Sequence, residues 1–159
     1  MVTKRRAALV SFLSFLLLGA GSVLAQRRQQ IKVYLVALDD NGKAGKKIGC
    51  DDSLVPVIRS IRRTAAPLRA TLQELLSTPA ESGDNPKLQN FWKGNDLKLS
   101  SVSIRNRTAT IRFSGELTTA GICDIPRIES QIEETARQFP TVRRVKVFIG
   151  QQILRDAIR

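Results

Sequence analysis

The carboxylates of this chain that are best placed for chemistry come in close groups: Asp39-Asp40, Asp51-Asp52, and Glu129 with Glu133 and Glu134. Two carboxylates in different environments can divide acid and base roles between them. The rest of such a machine is missing. The chain contains no histidine, so neither a Ser-His-Asp nor a Cys-His arrangement can be assembled. Both Asp pairs lie in "DDNGKAGKKIGCDD" (39–52), a composition in which turn formation and solvation are the ordinary uses of Asp. The three Glu residues share a helical period with Arg137, which suits surface ion pairing. Two cysteines are too few for the usual structural zinc sites. "GKAGKK" has the composition of a phosphate loop but lacks the G-x-x-x-x-G-K-[ST] spacing, and it precedes an extended segment rather than a helix. The calcium-loop pattern is absent too. No catalytic residue, metal ligand, cofactor or small-molecule substrate is assigned, and the expectation is a protein that is not an enzyme.

The first 25 residues bear on the cysteines. "MVTKRRAALVSFLSFLLLGAGSVLA" opens with Lys4, Arg5 and Arg6, runs apolar from Ala7, and ends with Val23 and Ala25 at the positions of a small-residue cleavage site. That is a secretory signal, cut near Ala25-Gln26, which places the mature chain outside the cytoplasm, secreted or periplasmic. The competing reading is an uncleaved N-terminal membrane anchor, since the apolar run is near the lower limit of roughly 17 residues for a spanning helix. In an exported chain, Cys50 and Cys123 form a disulfide by default. Two buried free thiols are the alternative, and Cys-x-x-Cys redox spacing is absent. A bridge closing so long a loop would contribute roughly 4 kcal/mol in the chain-entropy picture.

The chain holds 26 Lys and Arg against 14 Asp and Glu, a formal charge of +12. Loss of Lys4, Arg5 and Arg6 with the signal leaves 23 against 14, or +9. Such charge either solvates a surface or attracts an anionic partner: a membrane face, a wall polymer or nucleic acid. Export sets nucleic acid aside.

Residues 26–30 form a polar lead-in. "IKVYLVAL" (31–38) reads as a strand covered on both faces. Residues 53–63 are extended, and Pro56 marks them as an edge or irregular strand. Residues 64–79 form a helix with Thr64 as cap, Pro67 in its first turn and Leu68, Leu72, Leu75 and Leu76 as its stripe. Residues 80–96 are loop with a short helical turn near Leu88–Trp92. Residues 97–117 form a hairpin turning at Arg105–Thr108. There Asn106, which also heads a glycosylation sequon, suits a positive φ. A second helix, capped by Asp124, carries Ile125, Ile128, Ile132, Ala136 and Phe139 at helical spacing and stops at Pro140. The last strand runs over 143–149. The order β, (β), α, β, β, α, β implies one α+β domain over 31–154, with two helices on one face of a mixed four- to five-stranded sheet. Residues 155–159 are left as a C-terminal tail.

Four segments in this order resemble the GerMN domain, the sporulation and spore-germination module of bacterial envelope proteins: "LVPVIRSI" (54–61), "APLRATLQELLSTP" (66–79), "LKLSSVSIRNRTATIRFSGEL" (97–117) and "IEETARQFPTVRRVKVFIGQQI" (132–153). The resemblance implies a fold similar to ring-building-motif domains, and a non-enzymatic role outside the cytoplasmic membrane. It carries no active site over. Arg59 falls where family members often show Arg. Arg112 stands where an acid is frequent, and the two cysteines are outside the family pattern.

Two surface features are candidates for docking. In the last strand, Val145, Val147 and Ile149 face inward and leave Arg143, Arg144 and Lys146 outward, with Arg59, Arg62 and Arg63 as further members of a basic set. Trp92, the lone tryptophan, sits beside Lys93 and is either an interface aromatic or a core cap. The expected partner is an envelope protein or a second copy of the chain. The alternative is an anionic wall polymer or membrane surface bound through the basic face.

Overall fold

A computed structural model describes residues 27–82 and 87–158. The expected export signal, residues 1–25, lies outside them. Strand β1 (Arg28–Ala37) places Ile31, Val33 and Leu35 in the core. Its other face is buried only at Val36, with Tyr34 half-buried and Lys32 exposed. β1 starts inside the segment expected as a lead-in, because Arg28 pairs with Arg62 and its guanidinium donates to the Ser60 carbonyl and hydroxyl at 2.6 and 2.9 Å. After the two-residue strand β2 (Lys46–Lys47), β3 (Ser53–Arg62) runs antiparallel to β1 along its whole length. β2 covers β3 only at Ser53 and Leu54. Pro56 therefore sits on an outer edge, where its missing N–H costs nothing.

Helix α1 (Pro67–Ser77) buries Leu68, Leu72 and Leu75. Thr64 is not its cap. Its hydroxyl instead accepts the Ala66 N–H, and Ala66 occupies the cap position with no side-chain bond. Asn90 serves the other end of α1, donating to the Thr78 carbonyl and to the Leu75 carbonyl, which also accepts the Thr78 N–H at 3.3 Å. The helical turn expected near Leu88 is a strand pair, β4 (Glu81–Ser82) and β5 (Leu88–Gln89). The open edge of β1 at Val36 and Ala37 draws Leu88-Gln89 into the sheet.

The hairpin β6 (Lys98–Arg105) and β7 (Thr108–Ser114) turns through Asn106 and Arg107, at φ of 48° and 59°. These values match the tight turn that right-twisted strands favour. Helix α2 (Asp124–Arg137) buries Ile128, Ile132 and Ala136. Its cap position is Cys123, and the Asp124 carboxylate accepts the Ala120 N–H at 2.7 Å rather than capping the helix. β8 (Arg144–Ile149) lies parallel to β7. β9 (Gln152–Ile153) follows, and α3 (Leu154–Ala157) runs into the residues expected as a tail. Leu154 and Ile158 are buried there, so this segment closes the core.

The class is α+β. The strands form two sheets, however, in the orders β2-β3-β1-β5-β4 and β6-β7-β8-β9, and both contribute to one apolar core. α2 accounts for the division. Its side chains occupy the edge of β1 where another strand could pair. Gln138 takes both backbone groups of Lys32, accepting its N–H at 2.8 Å and donating to its carbonyl at 2.6 Å. Thr135 accepts the Tyr34 N–H, and Gln131 donates to the Tyr34 carbonyl. Gln131 is 0% exposed and also accepts the Phe91 N–H. Gln131→Leu is expected to cost about 2 kcal/mol, because two interior backbone groups lose their partners. The urea midpoint should fall with the slope unchanged.

Candidate docking site

Of the grouped carboxylates, all but Asp39 are engaged within the fold. Asp52 is 0% exposed; its carboxylate accepts the Asp39 N–H at 3.0 Å and the Arg127 Nε–H at 2.5 Å. Arg127 also reaches Asp124 at 3.3 Å and lies over the Phe91 ring, 5.0 Å from its centre. Burial works against its charge, but the bonds and charges of Asp52 and Asp124 outweigh that and hold its pKa above the ordinary value. Asp40 accepts from the Ser53 hydroxyl and then the Ala44 N–H, which keep it below the usual carboxylate range. Asp51 pairs with Lys47, Glu133 with Arg137, Glu134 with Lys46, and Glu129 with Arg155. Among the described residues, no group of three or more His, Cys, Asp or Glu is placed to hold a metal ion.

Cys50 and Cys123 are bonded, with Cα atoms 5.8 Å apart, and join the 39–52 loop to the start of α2.

The docking candidates separate. Trp92 is not a surface residue. It is 1% exposed, its ring is tilted 38° to that of Phe113 with centres 5.0 Å apart, and its indole N–H donates to the Ile128 carbonyl at 3.0 Å. An indole between two apolar elements with its N–H satisfied is a core residue. Arg59 is half-buried and pairs with Glu74 of α1 at 3.9 Å. Arg62 and Arg63 are exposed. On the second sheet Arg144 and Lys146 face outward, opposite Thr108 and Thr110, and Arg112 stacks over Phe148 at 4.2 Å. Arg144 donates to the Thr108 hydroxyl. Lys146 lines a separate cleft with Glu129, Glu133 and Arg155, where the charge is mixed.

One open groove of about 430 Å³ is lined by residues that neighbour members of both basic groups in the chain. It runs between the start of α1 and β6, over Ala65, Pro67, Leu68, Val102, Ile104 and Phe139. Arg69 lines it directly, Arg63 follows the chain two residues before Ala65, Arg105 follows Ile104, and Arg143 lies two residues after Thr141, another wall residue. No ion pair among the described residues involves Arg62, Arg63, Arg69, Arg105 or Arg143. Ile104 is 41% exposed at the groove's mouth. Sequence reasoning did not single out Arg69, Arg105 or Ile104. The usable signal was a large apolar residue at the hairpin end followed by "RNR".

The family model described as Germane, sporulation and spore germination, matches residues 32–154. The chain belongs to this family. Two solved structures share the fold of this Germane domain. The tandem GerMN domains of the sporulation protein GerM from Bacillus subtilis align at 21% identity and a TM-score of 0.57, covering 84% of this chain and 43% of that one. This chain thus spans less than half of the tandem structure. The first GerMN domain of the same protein aligns at 18% identity and a TM-score of 0.57, covering 79% and 86%. Among curated proteins none matches the sequence. No helix among the described residues is long and apolar enough to cross a membrane.

Proposed function

We propose that this Germane domain is an exported, non-enzymatic interaction module of the bacterial cell envelope that docks a protein partner. The observation that carries the reading is the α1–β6 groove, an apolar floor with Arg69 in its wall and with Arg63, Arg105 and Arg143 one or two residues along the chain from wall residues. Interfaces of this kind join an apolar centre to a charged rim that sets specificity and approach. All the grouped carboxylates except Asp39 are engaged in ion pairs or hydrogen bonds, which supports a binding role.

The test is site-specific photo-cross-linking in the envelope of the producing cell. Probes at Arg63, Ile104 and Arg143 should each form one discrete adduct, and a probe at exposed Lys93 should form none. A band at twice the chain's mass would identify self-association. Absence of any adduct from the three groove positions would sink the reading.

A second reading rests on Arg112, Arg144 and Lys146, which share the outer face of the second sheet. It is binding of an anionic wall polymer or membrane surface. It calls for sedimentation with cell-wall sacculi that weakens as salt rises and is lost when Arg143, Arg144 and Lys146 become Ser.

A further inference from the structure

The hairpin register says more about the groove than its lining does. A two-residue turn with both central φ values positive closes on a hydrogen-bonded pair, here Arg105 and Thr108. Hydrogen-bonded and non-bonded pairs then alternate along an antiparallel ladder. Ser103–Thr110 and Ser101–Arg112 are therefore bonded pairs, and Ile104–Ala109 and Val102–Ile111 are not. The N–H and C=O groups of Val102 and Ile104 point away from β7, out of the free edge of β6. β6 is the terminal strand of its sheet, and the same two residues line the groove. Further along this edge, the Leu99 carbonyl is taken by the Arg69 guanidinium at 3.2 Å. Val102 and Ile104 have no such cover among the described residues.

The outer edge of β3 is protected. β3 carries Pro56 on its outer side, and the Ser60 carbonyl accepts from Arg28. Proline and bonded charge are ordinary devices against unwanted strand pairing. β1 is sealed by Gln131, Thr135 and Gln138. β6 has neither protection at Val102–Ile104, and its neighbour across the groove is the apolar start of α1.

We propose that the α1–β6 groove takes an extended acidic segment of a partner protein, which pairs as an added strand with Val102 and Ile104. This rests on the docking reading above and names the partner's chemistry. Strand addition draws affinity from main-chain bonds and specificity from alternate side-chain pockets. Alternate apolar side chains of the segment would enter beside Leu68, Pro67 and Phe139, and its carboxylates would meet Arg63, Arg69, Arg105 and Arg143.

Charge selects this occupant over two others. Residues 1–26 carry Lys4, Arg5 and Arg6 and no acid, so the chain's own leader is a poor match. A second copy is strongly basic, and its helix α2 acids are already paired with Arg155, Arg137 and Lys46.

The test uses the ¹⁵N-labelled protein as purified from the expressing cell and a ten-residue peptide alternating Glu with Val or Leu. Titration should shift the amides of Val102 and Ile104 and slow their hydrogen exchange. A peptide N-methylated at alternate residues, which cannot complete the ladder, should bind about tenfold or more weakly, and so should a Lys-for-Glu peptide. Ile104→Pro should abolish binding; its circular dichroism should match the parent's, since the N–H removed points outward. Equal binding of the N-methylated peptide would overturn strand pairing, and equal binding of the Lys peptide would overturn the acidic preference. Shifts confined to the Arg112–Lys146 face would place the peptide elsewhere. Groove cross-links in the envelope without peptide binding would leave the docking module standing and refute this occupant.

Discussion

Replacing both Cys50 and Cys123 by Ser should lower the unfolding free energy by about 4 kcal/mol, the chain-entropy value for so long a loop. The bridge closes 73 residues, nearly half the chain, so its loss mainly frees the unfolded ensemble. The folded state adds a second contribution. Cys50 and Asp51 hold φ of 60° and 57°, a left-handed conformation that costs non-glycine residues roughly 1 kcal/mol each. The disulfide helps to hold that turn. Cys50→Gly with Cys123→Ser should therefore lose about 1 kcal/mol less than the double Ser variant, because Gly adopts this conformation freely. Guanidinium unfolding of the parent, of both variants and of the parent in reductant gives the comparison. If the reduced parent were as stable as the oxidised one, the bridge would contribute nothing and the 39–52 loop would be held by its polar contacts alone.

Apolar periodicity made much of the architecture legible. The stripes Leu68–Leu72–Leu75 and Ile128–Ile132–Ala136 are the buried faces of α1 and α2, and the period-two run Ala109–Ile111–Phe113 is the buried face of β7. Turn chemistry was legible where one residue type serves one backbone conformation, as at Asn106, and Pro56 does lie on an outer edge. What escaped was tertiary. Leu88-Gln89 is too short to show a period and becomes strand only because β1 offers it an edge. Leu154 and Ile158 belong to a segment too short to show a clear period, and they are buried because β8 brings them over the core. The division into two sheets depends on Gln131, Thr135 and Gln138, a polar stripe at i, i+4, i+7 beside the apolar one on α2. Polar residues at helical spacing ordinarily signify solvent, and nothing local says that a strand edge will meet them.

The candidate site was legible in kind more than in place. The basic set was visible, but sequence order could not show that Ala65 and Thr141, each two residues from a member of that set, line one groove while Lys146 lines a different cleft. Composition left Trp92 as either an interface aromatic or a core cap, and burial against Phe113 with the bond to the Ile128 carbonyl decides for the core. The carboxylates show the same lesson inverted. "DD" at 51–52 reads as a solvated turn, yet Asp52 is the most buried acid described and anchors a cation.

That anchor gives the other large effect. Asp52→Ala should destabilise the protein by about 3 kcal/mol, at the lower end of what breaking a buried pair costs. The lower end applies because Arg127 keeps Asp124 and the Phe91 face, and its side chain is 16% exposed. The Asp39 N–H also loses its acceptor. Arg127→Met should cost at least as much, since it leaves the fully buried Asp52 carboxylate with only that N–H. The two changes together should cost less than their sum, by about 1–3 kcal/mol, because each single variant strands a partner that the double variant removes. The coupling matters for the fold because Asp52 follows Cys50 by two residues and Asp124 follows Cys123 by one. Ion pair and disulfide thus fasten the same loop to the same helix end. In reductant the cost of Asp52→Ala should shrink, since a loop already released holds the carboxylate less firmly against Arg127. A cost unchanged by reduction, measured by denaturant titration, would mean that the two fastenings act independently.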